Sequence, residues 1–214
     1  MVATTKQKAR LLDLTTGVLE LIRDGKRDAD EVCNVLQVIK EERDFASILR
    51  RDQQVLVPEF KIWKTVKLGL RKSPREYRKA LDEGKYQIGT YASQILDKTS
   101  CSQEVVEVDL VLVTGSQLGF KVATRRDLIY KRALELGLQR CPGEVGPAMR
   151  EQYLDQPMDE WFLIGMDPIT DSDGNLRVFI VVHDGSGLWL DGSNGDPDRV
   201  WNPGFRWAFV LPRK

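Results

Sequence analysis

The segment RCPGEVGPAMREQYLDQP, residues 140 to 157, gathers side chains that could do chemistry. It holds a cysteine, two glutamates, two arginines and a tyrosine, all of which can do chemistry. On one hypothesis the segment is a connection in which Glu144, Arg150 and Glu151 pair locally within a satisfied polar network. On the other, it lines a cleft between a helix and a sheet. The candidate cleft residues are Glu144, Arg150, Gln152, Tyr153 and His183. We favour a shaped connection first and a site second.

The chain contains a single histidine, His183, which ends the apolar run VFIVVHD. A hydrolytic site would need a nucleophile beside it, but the sequence has no GxSxG motif, and Cys101 and Cys141 have no local catalytic signature. A pair of His183 with Cys141 would have to be created by the fold. We favour a histidine that flanks a turn, and the sequence assigns no catalytic residue.

Metal and nucleotide motifs are weak or missing. The run DPITDSDGN places Asp171, Asp173 and Gly174 as in part of a calcium loop, but the position that should hold a further carboxylate is Val182. We therefore predict a hairpin turn and no metal. There is no GxxxxGK[ST] and no GxGxxG after a strand, so no cofactor is predicted.

A basic excess lies between Val55 and Lys85, where nine Lys and Arg face four Asp and Glu, although the whole chain has 32 of each sign. Such a segment is a possible footprint for nucleic acid, with aromatic residues interleaved, or an ordinary solvated surface. The candidate contact residues are Lys61, Lys64, Lys67, Arg71, Lys72, Arg75, Arg78 and Lys79. A helix-turn-helix over residues 73–98 is disfavoured, because Thr90 and Ser93 fall where apolar residues belong.

The first 52 residues predict a helical hairpin. Apolar residues recur at spacings of three and four in the first helix, which ends near Gly25, and Asp28 is the expected cap of the second. The two stripes comprise Leu11, Leu14, Val18, Leu21 and Ile22, then Val32, Val35, Leu36 and Ile39. A short helix is expected over Arg43–Arg51, before a break at Pro58. Residues 5–40 are the expected surface for a protein partner or for self-association.

Residues 53–214 predict an α+β core domain, in which helices pack on a mostly antiparallel sheet that ends in a C-terminal β-meander. Strands are expected over 60–70 and 106–112. A capping box at Ser73 and Glu76 predicts a helix that ends at Gly84, and Thr124 is the expected cap of a helix that ends at Gly137. Pro147 is expected to start a short helix over Ala148–Tyr153.

Several phrases together resemble an uncharacterised family of small proteins from bacteria with reduced genomes, of the candidate-phyla type. They include IYKRALELGLQRCPGEVGPAMREQYLDQP, EWFLIGMDPITDSDG and GDPDRVWNP. The resemblance covers roughly residues 55–214, and the N-terminal hairpin is similar to leaders of that family. It implies a folded bacterial protein and no particular reaction, ligand or catalytic residue.

The composition favours a cytoplasmic protein. The longest apolar runs are far shorter than a membrane span, and three widely spaced cysteines without a CxxC argue against a disulfide framework. The favoured function is a non-enzymatic binding or regulatory protein that acts through protein–protein contacts. The alternatives are a nucleic-acid-binding protein that uses residues 61–85, and a small-molecule enzyme with a cleft near Glu144, Arg150 and His183.

Overall fold

A computed structural model describes residues 5–25, 28–30, 32–33 and 59–213. The chain divides into two compact units, Met1–Val57 and Pro58–Lys214.

The first unit begins with helix α1, Thr5–Arg23. Gly25, with φ of +67°, ends it, because its N–H donates to the carbonyl of Ile22 in a left-handed turn that glycine adopts without strain. Asp28 then accepts the N–H of Asp30 at 2.9 Å, and residues 29–30 and 32–33 are helical, as the capping signal predicts. The rest of the predicted second helix and the helix predicted over Arg43–Arg51 lie outside the described residues.

In the second unit, the described residues form four helices and ten strands. The helices are α2 (Pro74–Glu83), α3 (Thr90–Leu96), α4 (Arg126–Glu135) and α5 (Val145–Gln152). The strands are β1 (Lys64–Leu68), β2 (Gln87–Ile88), β3 (Val106–Thr114), β4 (Thr124–Arg125), β5 (Trp161–Ile164), β6 (Ile169–Thr170), β7 (Leu176–Asp184), β8 (Gly187–Asn194), β9 (Val200–Trp201) and β10 (Arg206–Val210).

Eight strands form one sheet in the order β1-β3-β10-β5-β7-β8-β2, with β6 paired to β7. The pairs β5–β10 and β2–β8 are parallel, and the other pairs of this sheet are antiparallel. The predicted α+β class with a mostly antiparallel sheet is therefore confirmed.

The C-terminal meander is confirmed only in part. Strands β5, β7 and β8 are antiparallel neighbours in chain order, and the turn at Asp171–Asn175 joins β6 to β7 as a hairpin. The last strand departs from this pattern, because β10 returns to lie between β3 and β5. Strand β9 also lies outside the meander and pairs with β4 in a separate two-stranded sheet.

The large sheet is curled around α5. This helix contacts β1 at one edge and also β7 and β8, which are several strands away. Neighbouring strands are spaced by about 4.8 Å, so one helix about 10 Å wide can reach both only if the sheet bends around it. Every residue from Val145 to Arg150 is accordingly buried.

The capping prediction is confirmed for α2 and wrong for α4. Ser73 accepts the N–H of Glu76 at 3.3 Å, before α2. Thr124 instead lies in β4 opposite Trp201. The N–H groups of Arg126 and Asp127 that Thr124 was expected to serve donate to the carbonyls of Arg199 and Pro197. A distant loop has thus replaced the local cap.

Candidate functional site

The segment that begins at Arg140 leads directly into the centre of the fold. The N–H of Cys141 donates to the carbonyl of Gly165, which ties the chain to the end of β5. A turn follows, in which the N–H of Val145 donates to the carbonyl of Pro142. The short helix was predicted, but it begins at Val145, ahead of Pro147. The N–H of Gly146 also donates to the carbonyl of Gly143, so the turn leads into the helix two residues before the proline.

Glu144 precedes α5 and is 1% exposed. Its Oε1 accepts the N–H of Gly69 at 2.7 Å and the hydroxyl of Tyr77 at 2.8 Å, and its Oε2 accepts the N–H of Ser102 at 2.7 Å. We call these four residues the Glu144 network. These three donors replace the hydrogen bonds to water that the carboxylate loses on burial. Because the donors lie at the end of β1, in helix α2 and in the loop after α3, the network connects these three segments to the start of α5.

Burial and the negative charge of Glu144 both raise the pKa values of the neighbouring groups Tyr77 and Cys101. Burial raises the pKa of Tyr77 far above its ordinary value, and its hydrogen bond to Glu144 raises it further. Burial, with a smaller contribution from the charge of Glu144, raises the pKa of Cys101 to about 11. Cys101 is therefore a thiol at neutral pH and a poor nucleophile.

Arg150 lies in the last turn of α5 and is fully buried. Its Nη1 donates to Oε1 of Gln156 at 2.5 Å and to the carbonyl of Val182 at 3.2 Å, and its Nη2 donates to the carbonyl of Tyr153 at 2.5 Å. We call these four residues the Arg150 network. Burial lowers the pKa of Arg150 to about 10, and the ring of Tyr86 lies 5.4 Å from the guanidinium carbon.

The predicted ion pair between Glu144 and Arg150 is wrong, because each has a separate set of partners. Glu151, the third member of the predicted cluster, pairs with Arg71, whose Nε lies 3.1 Å from Oε1 of Glu151. The local spacing suggested a pair, but α5 carries Glu144 at its start and Arg150 near its end. Each charge is at the end that the helix dipole favours.

The other candidate cleft residues occupy different surroundings. The side-chain amide of Gln152 pairs with the backbone of Lys67 as a neighbouring strand would. It donates to the carbonyl of Lys67 at 2.7 Å and accepts the N–H of Lys67 at 2.9 Å, and it thereby covers part of the edge of β1. Tyr153 donates to Glu160 at 2.7 Å, and its ring packs edge-on against Trp63.

His183 is held by the same loop as Arg150. Its Nδ1 lies 2.6 Å from the carbonyl of Gln156, and because a carbonyl only accepts, Nδ1 carries the proton. Cys141 is buried elsewhere, with its Sγ 3.3 Å from the carbonyl of Ala208. Burial raises the pKa of Cys141 far above its ordinary value. The structure therefore does not form the pair of His183 with Cys141.

Half of the candidate nucleic-acid contacts form ion pairs within the protein. The pairs are Lys64 with Asp155, Arg71 with Glu151, Arg78 with Asp97, and Lys79 with Glu83. Lys72 donates to the carbonyl of Gln103. Within the part of the chain that the structure describes, Lys61, Lys67 and Arg75 have no carboxylate partner. The net positive field of the segment is smaller than its sequence suggests.

Sequence reasoning missed Gly69, Ser102 and Gln156. Gly69 has φ of +72°, and a Cβ there would lie 2.0 Å from the carbonyl oxygen of Glu104. Only glycine allows this approach, which presents its N–H to Glu144. A glycine inside the strand predicted over 60–70 was a usable signal for a special backbone position. Nothing in the sequence indicated which distant carboxylate would face it.

The comparisons with known proteins return no match of any of three kinds: no family model, no curated protein and no solved structure is similar to this chain. Over the described residues, no three His, Cys, Asp or Glu side chains come together as a possible metal site. A helix with the length and apolar character of a membrane span is not found among those same residues.

Proposed function

We propose that this chain is a non-enzymatic binding protein that acts through protein–protein contacts of helix α1. The observation that carries the proposal is the exposure of the apolar residues of this helix. Leu14 is 59% exposed, Leu19 is 65% exposed and Leu21 is 40% exposed. Val18, on the same stripe as Leu14 and Leu21, is 36% exposed.

An amphipathic helix gains most of its stability by burying its apolar face against another element. Contiguous exposed apolar residues on a folded protein are typical of interaction sites. On α1, three leucines and a valine are exposed within less than three turns, so this helix has apolar surface to offer a partner.

The alternatives receive less support. An enzyme needs a nucleophile or base that a substrate can reach. Here Glu144 is buried under three donors, and the thiols of Cys101 and Cys141 have raised pKa values. A nucleic-acid surface needs free cations, and four of the eight candidate basic residues are paired with carboxylates.

The test is photo-cross-linking of the intact chain in cells, with a photoreactive phenylalanine analogue in place of Leu14. We expect cross-links to protein, and we expect the substitutions Val18→Ser and Leu21→Ser to abolish them. The matched control carries the analogue in place of Glu20, on the opposite side of the same helix. If position 14 forms no more cross-links than position 20, the proposal is wrong.

A further inference from the structure

We propose that Asn194 is a latent modification site, which the folded chain protects from deamidation and which reacts when the end of β8 opens. The reaction is intramolecular, and water is its only other reactant. The evidence is the residue pair Asn194–Gly195 together with the hydrogen bonds and the packing that hold this pair in the structure.

The reaction takes place between the side chain of Asn194 and the backbone nitrogen of Gly195. This nitrogen attacks Cγ of Asn194, so that an N–Cγ bond forms and the Cγ–Nδ2 bond breaks. The backbone proton leaves with the amide group as ammonia, and the product is a five-membered succinimide. Water then opens the ring at one of its two carbonyls and gives either aspartate or isoaspartate. A following glycine favours the attack, because it has no side chain to crowd the ring.

The sequence makes Asn194 the asparagine that is best placed to react. The other three asparagines are Asn34, Asn175 and Asn202, and none of them precedes a glycine. Asn202 precedes a proline, whose nitrogen carries no proton and cannot form the ring. A valine and a leucine follow the other two, and their side chains hinder the approach of the nitrogen to Cγ.

The structure holds both reacting groups away from the reaction. The N–H of Gly195 donates to the carbonyl of Leu176 at 2.8 Å, and Oδ1 of Asn194 accepts the N–H of Asp196 at 2.8 Å. Asn194 also pairs with Arg177 in the ladder between β8 and β7. The attacking nitrogen must lose its proton, which the hydrogen bond to Leu176 retains. Ring closure also requires Asn194 to leave the extended backbone conformation of a strand, so the end of β8 must first separate from β7.

Packing explains why a glycine stands at position 195. A Cβ on Gly195 would lie 2.9 Å from the backbone carbonyl carbon of Arg177 and 2.9 Å from Cβ of Pro168. A larger residue would therefore require β7 to shift. The fold needs the residue that makes the preceding asparagine reactive. Position 194 is less restricted, because serine or aspartate can also accept the N–H of the residue two positions later.

A reaction at Asn194 would affect helix α4 through the loop that follows β8. The carbonyls of Pro197 and Arg199 accept the first N–H groups of α4, and the carbonyl of Asp196 accepts Nε of Arg126 at 3.2 Å. Isoaspartate continues the chain through its side-chain carbons, which adds one atom to the backbone. The loop then cannot keep its register with both β7 and α4. A chain that reacts while open therefore cannot form the same contacts again.

The first test compares the intact chain with a synthetic peptide of residues 190–199 at the same mildly alkaline pH. Proteolysis and mass spectrometry follow the mass gain of deamidation at position 194 over time. We expect the folded chain to react about a hundredfold more slowly than the peptide, because the open state is rarely populated. In urea that unfolds the chain, its rate should approach that of the peptide in the same urea. A folded chain that reacts as fast as the peptide would overturn the protection, and an unfolded chain that stays unmodified at position 194 would overturn the site.

The second test separates the charge of the product from its longer backbone. Asn194→Asp and Asn194→Ser keep an acceptor for the N–H of Asp196, so we expect both to melt like the wild type. Wild type and Asn194→Ser are then incubated in urea and refolded. A smaller fraction of the wild type should regain the native melt, because Asn194→Ser has no amide to lose. Isomerisation at the Asp–Gly pairs affects both chains equally. If the two refold equally well while mass spectrometry shows isoaspartate at position 194, the proposed effect on the fold is wrong.

Discussion

Glu144 and Arg150 lie at the two ends of α5, both buried, and each forms hydrogen bonds with partners that the other does not touch. Glu144 accepts from Gly69 and Ser102 near β1 and α3, whereas Arg150 donates to the loop after α5 and to β7. The two charged residues therefore stabilise two separate sets of contacts, one at each end of α5. The first two predictions follow from this separation.

Glu144→Gln should destabilise the protein by about 2–4 kcal/mol, because an amide has one acceptor oxygen where the carboxylate has two, and at least one buried N–H loses its partner. Urea unfolding monitored by fluorescence measures the loss. Glu151→Gln is the matched control on the same helix. Its pair with Arg71 is partly exposed, so the expected loss is about 0–1 kcal/mol. Equal losses in the two variants would contradict the role given to Glu144.

Arg150→Met should also cost about 2–4 kcal/mol, because it leaves the buried acceptors of Gln156 and Tyr153 unpaired. The effects of Glu144→Gln and Arg150→Met should add to within about 0.5 kcal/mol in the double variant, since the two residues share no partner. A double variant much more stable than the sum would mean that the two charges interact directly.

Gly146→Ala should destabilise the core. A Cβ at Gly146 would lie 2.5 Å from the ring of Phe179, which is itself fully buried. Relieving such an overlap costs about 1–3 kcal/mol, because the surrounding core is closely packed. Gly185→Ala is the control, since a Cβ there meets nothing within 4 Å. Thermal melts of the two variants should differ clearly, and matching melts would mean that α5 can move away from β7.

Asp109 should give the stability a pH dependence at low pH. Hydrogen bonds from Arg213 and Thr65 lower the pKa of this carboxyl to about 2. Because the folded-state pKa is below the unfolded value of about 3.9, the stabilisation is complete above about pH 5 and is lost as the pH falls towards 2. The stability difference between wild type and Asp109→Asn should shrink over that window. Asp167→Asn, which changes an exposed carboxylate, is the control. If the stability difference between wild type and Asp109→Asn does not change with pH, Asp109 is not the source of the pH dependence.

The three thiols should react in a fixed order. Cys33 is exposed, Cys101 is partly buried with a pKa raised to about 11, and Cys141 is buried with a pKa raised further. Since the thiolate is the reactive form, a thiol reagent at neutral pH should modify Cys33 first and Cys101 slowly. Cys141 should react only after unfolding. Mass spectrometry over time measures the order, and early modification of Cys141 would show that its site opens.

The parts of the fold that depend on neighbours in sequence could be predicted. Ser73 caps α2 three residues ahead of Glu76, and Gly137, with φ of +85°, follows the end of α4 as expected. The same local rule predicted a cap at Thr124, and that prediction was wrong. Thr124 lies in a strand opposite Trp201, and the carbonyls of a distant loop accept the first N–H groups of the helix. Local capping is a preference of order 1 kcal/mol, which a tertiary contact can override.

The position of the candidate site could be predicted from the sequence, but the contacts of its side chains could not. The polar segment was recognised from its composition, and its helix was predicted within a few residues. The partners of Glu144 come from positions that are far away in the chain, Gly69 and Ser102. Which distant N–H groups meet a buried carboxylate depends on how the sheet curls, and the periodicity of a single segment holds no information about that.

The place of β10 in the sheet has a consequence for synthesis on the ribosome. Strand β10 follows the other nine strands in the chain, but it lies between β3 and β5 and joins two groups of strands that do not otherwise pair. While translation proceeds, β3 must therefore leave one side unpaired until β10 emerges, long after β3 itself. Non-local pairing of this kind is slow and leaves exposed edges during folding. The edge of β3 is therefore the part of the sheet that stays open longest during synthesis.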